Sequence, residues 1–105
     1  MRYLLDHGTP FTAAFIGNDS MTIGAHTALR ERGLRVPEDV SLVGFDDLPE
    51  AAHFVPGLTT VRQDFQLLGR MAIEYITSLI DNPETAIHQR VLQPKLIVRG
   101  STRAV

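Results

Sequence analysis

Two short polar clusters stand out against an otherwise apolar background. Asn18-Asp19-Ser20 follows the run Phe11-Thr12-Ala13-Ala14-Phe15-Ile16-Gly17, and Asp46-Asp47 follows Ser41-Leu42-Val43-Gly44-Phe45. Amide and carboxylate groups together donate to and accept from hydroxyls. A ligand rich in hydroxyls, such as a sugar or nucleoside, therefore suits them. Phosphate suits them poorly, because the carboxylates would repel it. Each cluster also has a plain structural reading. Asp19 or Ser20 is a preferred helix cap, and Asp46-Asp47 is good turn material ahead of Leu48-Pro49.

The elements that must position these groups follow from periodicity. Short apolar runs bounded by turn residues fit strands buried on both faces of a parallel sheet. Between them, Ser20 to Arg32 has Met21, Ala25, Ala28 and Leu29 at helical spacing, closed by Gly33 and Pro37. Strand, helix, loop, strand is a βαβ unit. The carboxyl ends of parallel neighbours share one edge, where ligands bind in open α/β sheets. Two clusters distant in sequence should therefore meet there. Farther on, Leu58 to Arg62 reads as a strand and Asp64 caps a helix reaching about Ile80. That helix has Phe65, Leu68, Ala72, Ile76 and Leu79 as its stripe. Val91 to Arg99 reads as a last extended segment. A helical lead-in at Tyr3 to Asp6 completes an α/β pattern.

Composition sets the outer bounds. The chain has 105 residues, ten basic against twelve acidic, and no cysteine. There is no polybasic footprint for nucleic acid in this segment, no disulfide or thiolate metal site, and no apolar run long enough to span a membrane. No signal-peptide stretch is present, so a cytoplasmic location is expected. His7, His26, His53 and His88 lack the paired spacing of a zinc site. No glycine-rich phosphate loop or nucleophile elbow occurs, so no cofactor is expected. Ile23 lies off the main stripe of its helix, and Phe54 lies in the irregular segment Ala51 to Gly57. As exposed apolar residues they suggest a partner surface.

The stretches Ile16-Gly17-Asn18-Asp19-Ser20-Met21, Gly24-Ala25 and Leu29 through Asp47 together resemble the LacI/GalR family of bacterial transcriptional regulators. So do Pro56-Gly57-Leu58-Thr59-Thr60-Val61-Arg62-Gln63 with Gly69, and Leu96-Ile97-Val98-Arg99-Gly100-Ser101-Thr102. The resemblance implies a periplasmic-binding-protein-like (type I) core of two α/β subdomains, with an effector in the cleft between them. This chain resembles the C-terminal part of that core, residues 1–105. The helix 64–80 would belong to the other subdomain, and operator DNA would be bound by a domain outside this chain. The resemblance further implies Asn18, Asp46, Gln63 and Phe65 as effector-binding residues. It implies Asp19 as a helix cap, and Ile23 with Phe54 on a homodimer face.

The expectation is thus an effector-sensing portion of a repressor, binding a sugar or nucleoside-like metabolite and controlling operator binding allosterically, without catalysis. Two other readings stay open at the level of sequence. One is a fragment of a sugar-transport binding protein, which shares the core. The other is an α/β enzyme using Asp46 and Asp47. No partner His or Lys accompanies them, since the only lysine is Lys95.

Overall fold

The computed structural model describes residues 1–84 and 86–104. The elements are α1 (Arg2–Asp6), β1 (Ala13–Phe15), α2 (Asp19–Glu31), β2 (Ser41–Asp46), a 3-10 turn (Pro49–His53), β3 (Thr59–Arg62), α3 (Phe65–Asp81) and β4 (Lys95–Ile97). The four strands form one sheet in the order β1-β2-β3-β4. The β1–β2 and β2–β3 pairs are parallel.

β4 is antiparallel to β3, so the β3–α3–β4 stretch is not a second parallel βαβ unit. The register explains this. The chain leaves the sheet at Arg62 and re-enters opposite that same residue, at Lys95. A strand that re-enters at the end where its neighbour left must run back the other way. Only Lys95–Ile97 finds a partner, so the extended segment expected from Val91 shortens to these three residues. Pro94, with no N–H to donate, closes off pairing at its start.

The chain divides into two units, Met1–Arg62 with the tail from Lys95 onward, and Gln63–Pro94. The core of the first unit is Leu29, Val40, Leu42, Ala51 and Leu58, with Met1, Leu5, Phe11, Ala14, Leu34, Val36 and Phe54 packed against it. Fully burying a leucine contributes about 2 kcal/mol. Leu29, Leu42 and Leu58 are thus the main anchors of α2, β2 and β3. The C-terminus of α2 closes in a Schellman arrangement. Leu34 N–H reaches Leu29 O and Gly33 N–H reaches Arg30 O, both at 3.0 Å. Gly33 takes φ +71°, a conformation that glycine adopts without strain.

Two burial expectations change. β1 is not buried on both faces, because it is the edge strand and Phe15 is 64% exposed. In β2 only Leu42 and Gly44, on the side toward α2, are buried. On α2, Met21 is exposed and Thr22 takes the buried place instead. The Thr22 hydroxyl can sit there because it donates to Asn18 O at 3.0 Å.

The second unit is built differently. Asp64 caps α3, accepting from Leu67 N–H at 2.8 Å. None of the residues of α3 is buried, and Phe65, Leu68, Ile73, Ile76 and Ile80 are all exposed. The stripe read from the sequence is real as a pattern but is largely uncovered. The segment after the helix turns back along it. His88 N–H donates to Tyr75 Oη at 2.7 Å, and the Arg90 guanidinium lies 5.0 Å from the Tyr75 ring centre. These contacts line a shallow groove of about 260 Å³ with Leu68, Met71, Ala72 and Leu92.

Candidate functional site

The two polar clusters do meet. β1 and β2 run parallel with Phe15 opposite Val43, so Asn18 and Asp46 each stand three residues beyond that pair at the same edge. A direct bridge joins the segments that carry them. Leu48 N–H donates to Asp19 Oδ2 at 2.8 Å. The other carboxylate oxygen, Asp19 Oδ1, accepts from the Thr60 hydroxyl at 2.6 Å, tying in β3. Asp19 is 2% exposed and Thr60 is fully buried.

Asp19 therefore does not cap α2. Asn18 does, in extended backbone, with its Oδ1 accepting from Met21 N–H at 2.7 Å. Asp19 sits one residue into the helix, where its side chain is directed beneath the sheet. Gly44 makes room for it, since a Cβ at that position would collide with Asp19 Oδ1 and with Leu58 Cδ2. The glycine in Val43-Gly44-Phe45 thus serves close approach, not a turn. Asn18 is half-buried and its capping oxygen is committed, so the group it can offer a ligand is the amide NH2.

At the second strand end the backbone is unusual. Asp46 has φ +103° and Asp47 φ +57°, two consecutive non-glycine residues at positive φ. Each such residue costs about 1–2 kcal/mol relative to ordinary backbone, and Asp is among the few types that tolerate it. Asp47 is held by two arginines, one on each oxygen. Arg62 Nε reaches Oδ2 at 2.5 Å, and Arg99 Nη2 reaches Oδ1 at 2.7 Å. The Asp47 side chain is only 4% exposed. Burial pushes its carboxyl upward, but the Arg99 and Arg62 guanidinium groups outweigh this and hold it below the usual carboxylate range. Arg99 is itself anchored, donating from Nη1 to Leu58 O at 2.7 Å.

The tail that supplies Arg99 is stitched to the sheet. Ser101 Oγ accepts from Thr59 N–H at 2.8 Å and donates to Leu42 O at 2.6 Å. Thr59 Oγ1 accepts from Arg99 N–H at 2.9 Å and lies 3.0 Å from Thr102 Oγ1. This explains the Arg99-Gly100-Ser101-Thr102 run. Its hydroxyls lock the return of the chain across β2 and β3.

Of the remaining residues singled out from the sequence, Gln63 and Phe65 lie at the start of the second unit. Gln63 is half-buried, and Phe65, the first residue of α3, is 51% exposed. Ile23 is 51% exposed. Phe54 is not an exposed residue. It is half-buried and packs against the core. Even so, Ile23 and Phe54 line one groove, with Ser20, Leu48, Glu50 and Ala51. Arg62 and Arg99 were not singled out by sequence reasoning. Among the described residues no cluster of His, Asp or Glu could hold a metal ion, and no helix is long and apolar enough to cross a membrane.

This geometry agrees with what the chain is similar to. A family model described as a periplasmic binding protein-like domain matches residues 2–102. The chain is 41% identical over 97 residues to the HTH-type transcriptional repressor PurR of Haemophilus influenzae, covering 90% of this chain and 29% of that protein. It is 39% identical over 101 residues to the ribose operon repressor of Escherichia coli, covering 96% of this chain and 31% of that one. Among solved structures, a lac repressor dimer bound to operator and the anti-inducer ONPF superposes with a TM-score of 0.91 at 35% identity, over 98% of this chain and 36% of that chain. The transcriptional regulator CelR in complex with cellobiose gives a TM-score of 0.89 at 39% identity, over 95% of this chain and 31% of that one. The chain belongs to the periplasmic-binding-protein-like domain family, in the form carried by LacI-type transcriptional regulators. It spans under a third of the length of these curated relatives.

Proposed function

We propose that this chain is the effector-sensing portion of a transcriptional repressor, with Asn18 and Asp46 contacting a hydroxyl-bearing metabolite. The observation that carries this reading is the convergence of the two strand-end clusters, bridged by Asp19 and Leu48. Asn18 offers a donor pair and Asp46 an acceptor, a combination suited to a sugar or nucleoside. Gln63 and Phe65 are further effector positions, on the strength of the family resemblance. A cytoplasmic location follows from this reading, because operator DNA is there. Operator binding itself belongs to a domain outside this chain. The effector acts by favouring one arrangement of the sensing core over another, and operator affinity changes through that difference.

Homodimerisation uses the surface that carries Ile23 and the adjoining Phe54 groove. The enzyme reading has less support. Both oxygens of Asp47 are engaged by arginines, so Asp47 is poorly placed to act as a nucleophile or base. The relatives are repressors. The transport-protein reading shares the core fold, but none of the relatives named above is a transporter.

The test is Asp46→Asn in the full-length protein. Asparagine tolerates the positive φ of this position and removes the carboxylate charge. Screened by thermal shift against D-ribose, D-glucose, cellobiose and adenosine, the wild type should be stabilised by at least one compound. The variant should lose that shift while retaining operator binding. A variant that responds like the wild type would remove Asp46 from the effector site.

A further inference from the structure

Two consecutive aspartates at positive φ need something outside the turn to keep them there. The turn is gripped at two points. Leu48 N–H is held from beneath by Asp19 Oδ2, and the Asp47 carboxylate is held by Arg62 and Arg99. The second grip is the informative one. Arg62 is the last residue of β3 and stands in register with Asp46 on one side and Lys95 on the other. It is also the last residue of the first unit before Gln63. Arg99 lies on the returning chain and is pinned a second time through Leu58 O. One carboxylate therefore ties the turn carrying Asp46 to the strand that leaves for the second unit and to the tail that comes back from it.

A buried carboxylate between two guanidinium groups is a demanding way to stabilise a turn, because Asp47 and Arg99 lose most of their water while only Arg62 stays half exposed. Asn or Gly at position 47 would adopt the backbone at least as readily. What only the charged clamp supplies is a fixed geometry.

We propose that Asp47 is a positioning residue: clamped between Arg62 and Arg99, it holds the left-handed turn that presents Asp46 to the effector. This rests on the reading of Asp46 as an effector contact. Asp46 and Asp47 share a peptide unit, so the clamp fixes the direction in which the Asp46 carboxylate leaves the sheet edge. Releasing it lets Asp46 relax toward ordinary backbone, and ligand hydroxyls then meet an acceptor in the wrong place.

The experiment uses the full-length protein with Asp47→Gly, which accepts positive φ and removes the clamp while also freeing the backbone. Asp47→Asn serves as the milder variant should the glycine protein fail to fold. The probes are D-ribose, D-glucose and adenosine, each paired with its 2-deoxy counterpart and measured by calorimetry. Asp47→Gly should bind the wild type's best probe roughly tenfold more weakly. It should also lose most of the preference over the deoxy counterpart, which a correctly formed but less stable site would keep. Asp47→Asn should fall between. Unchanged affinity and preference in Asp47→Gly or Asp47→Asn, with binding lost in Asp46→Asn, overturns the positioning role alone. Binding that survives Asp46→Asn removes the Asp46 reading and this proposal with it. A crystal structure of Asp47→Gly, or of Asp47→Asn if the glycine variant does not fold, decides the matter without any ligand. Asp46 should leave positive φ, and retention of the wild-type backbone there would overturn the proposal.

Discussion

The two strand ends of the first unit solve the same problem in opposite ways. After β1, Asn18 stays at the edge and caps α2, while Asp19 turns inward beneath Gly44 to bind Thr60 and Leu48. After β2, the backbone itself is bent to positive φ, and the inward carboxylate is Asp47, held by arginines instead of neutral donors. In each pair of neighbours the second residue, Asp19 or Asp47, is the buried carboxylate that anchors its strand end. The first anchor is satisfied by a hydroxyl and an amide in the interior. The second is satisfied by charge near the surface, with Arg62 itself half exposed. The first end should therefore respond to changes in packing, and the second to changes in pH and salt.

The largest effect expected is at Gly44. Gly44→Ala places a methyl group against Asp19 Oδ1 and Leu58, and should destabilise the fold by about 3 kcal/mol in urea unfolding. A loss under 1 kcal/mol would mean that the Asp19 bridge is not tight. Next comes Asp19→Ala, which strands the Thr60 hydroxyl and Leu48 N–H. About 2 kcal/mol should be lost, with binding weakened too because the turn after β2 loosens. Asn18→Ala removes the cap together with the amide proposed to meet the effector, and should lower stability by about 1 kcal/mol; a neutral result in unfolding would show that α2 does not depend on the cap.

The second end should show itself in acid. The Asp47 carboxyl lies below its ordinary value in the folded state. Its stabilising effect is thus present above the unfolded carboxylate value, about 3.9, and is lost as pH falls through the folded value. Asp39, held low by the Arg35 hydrogen bond, acts in the same direction at an exposed site. Melting temperature should therefore drop below about pH 4. The Asp47→Asn protein should show a shallower decline, and identical acid limbs for both proteins would count against the clamp. The smallest effect on folding is expected from Ile23→Glu, within about 0.5 kcal/mol at an exposed position. That substitution should still lower the mass seen by light scattering at low concentration. Phe54→Glu would be a poorer test, because Phe54 packs on the core and the monomer itself would suffer.

Much of this arrangement is legible in the sequence. The apolar runs before Asn18 and Asp46 gave the two parallel strands, Gly33 gave the end of α2, and Asp64 gave the start of α3. Their signals are local, residing in periodicity and cap chemistry. The roles within each polar pair are not local. Whether Asn18 or Asp19 caps the helix depends on where Gly44 leaves a space, and that space belongs to a strand more than twenty residues away. The double arginine clamp was invisible for the same reason. Arg62 and Arg99 carry no mark that separates them from other surface arginines until β3 and the tail are laid beside β2.

What the sequence by itself determined is the identity of the elements, the clustering of polar residues at strand ends, and the family to which the chain belongs. Each of these is written in short windows of residue type and spacing. Only the tertiary structure decided which of two adjacent side chains goes inward, that β4 runs antiparallel, and that Asp46 stands on a left-handed turn. These depend on register and on contacts between segments far apart in the chain. Backbone direction at Asp46 is set by a carboxylate one residue later, and by two arginines that only the closed sheet brings to it.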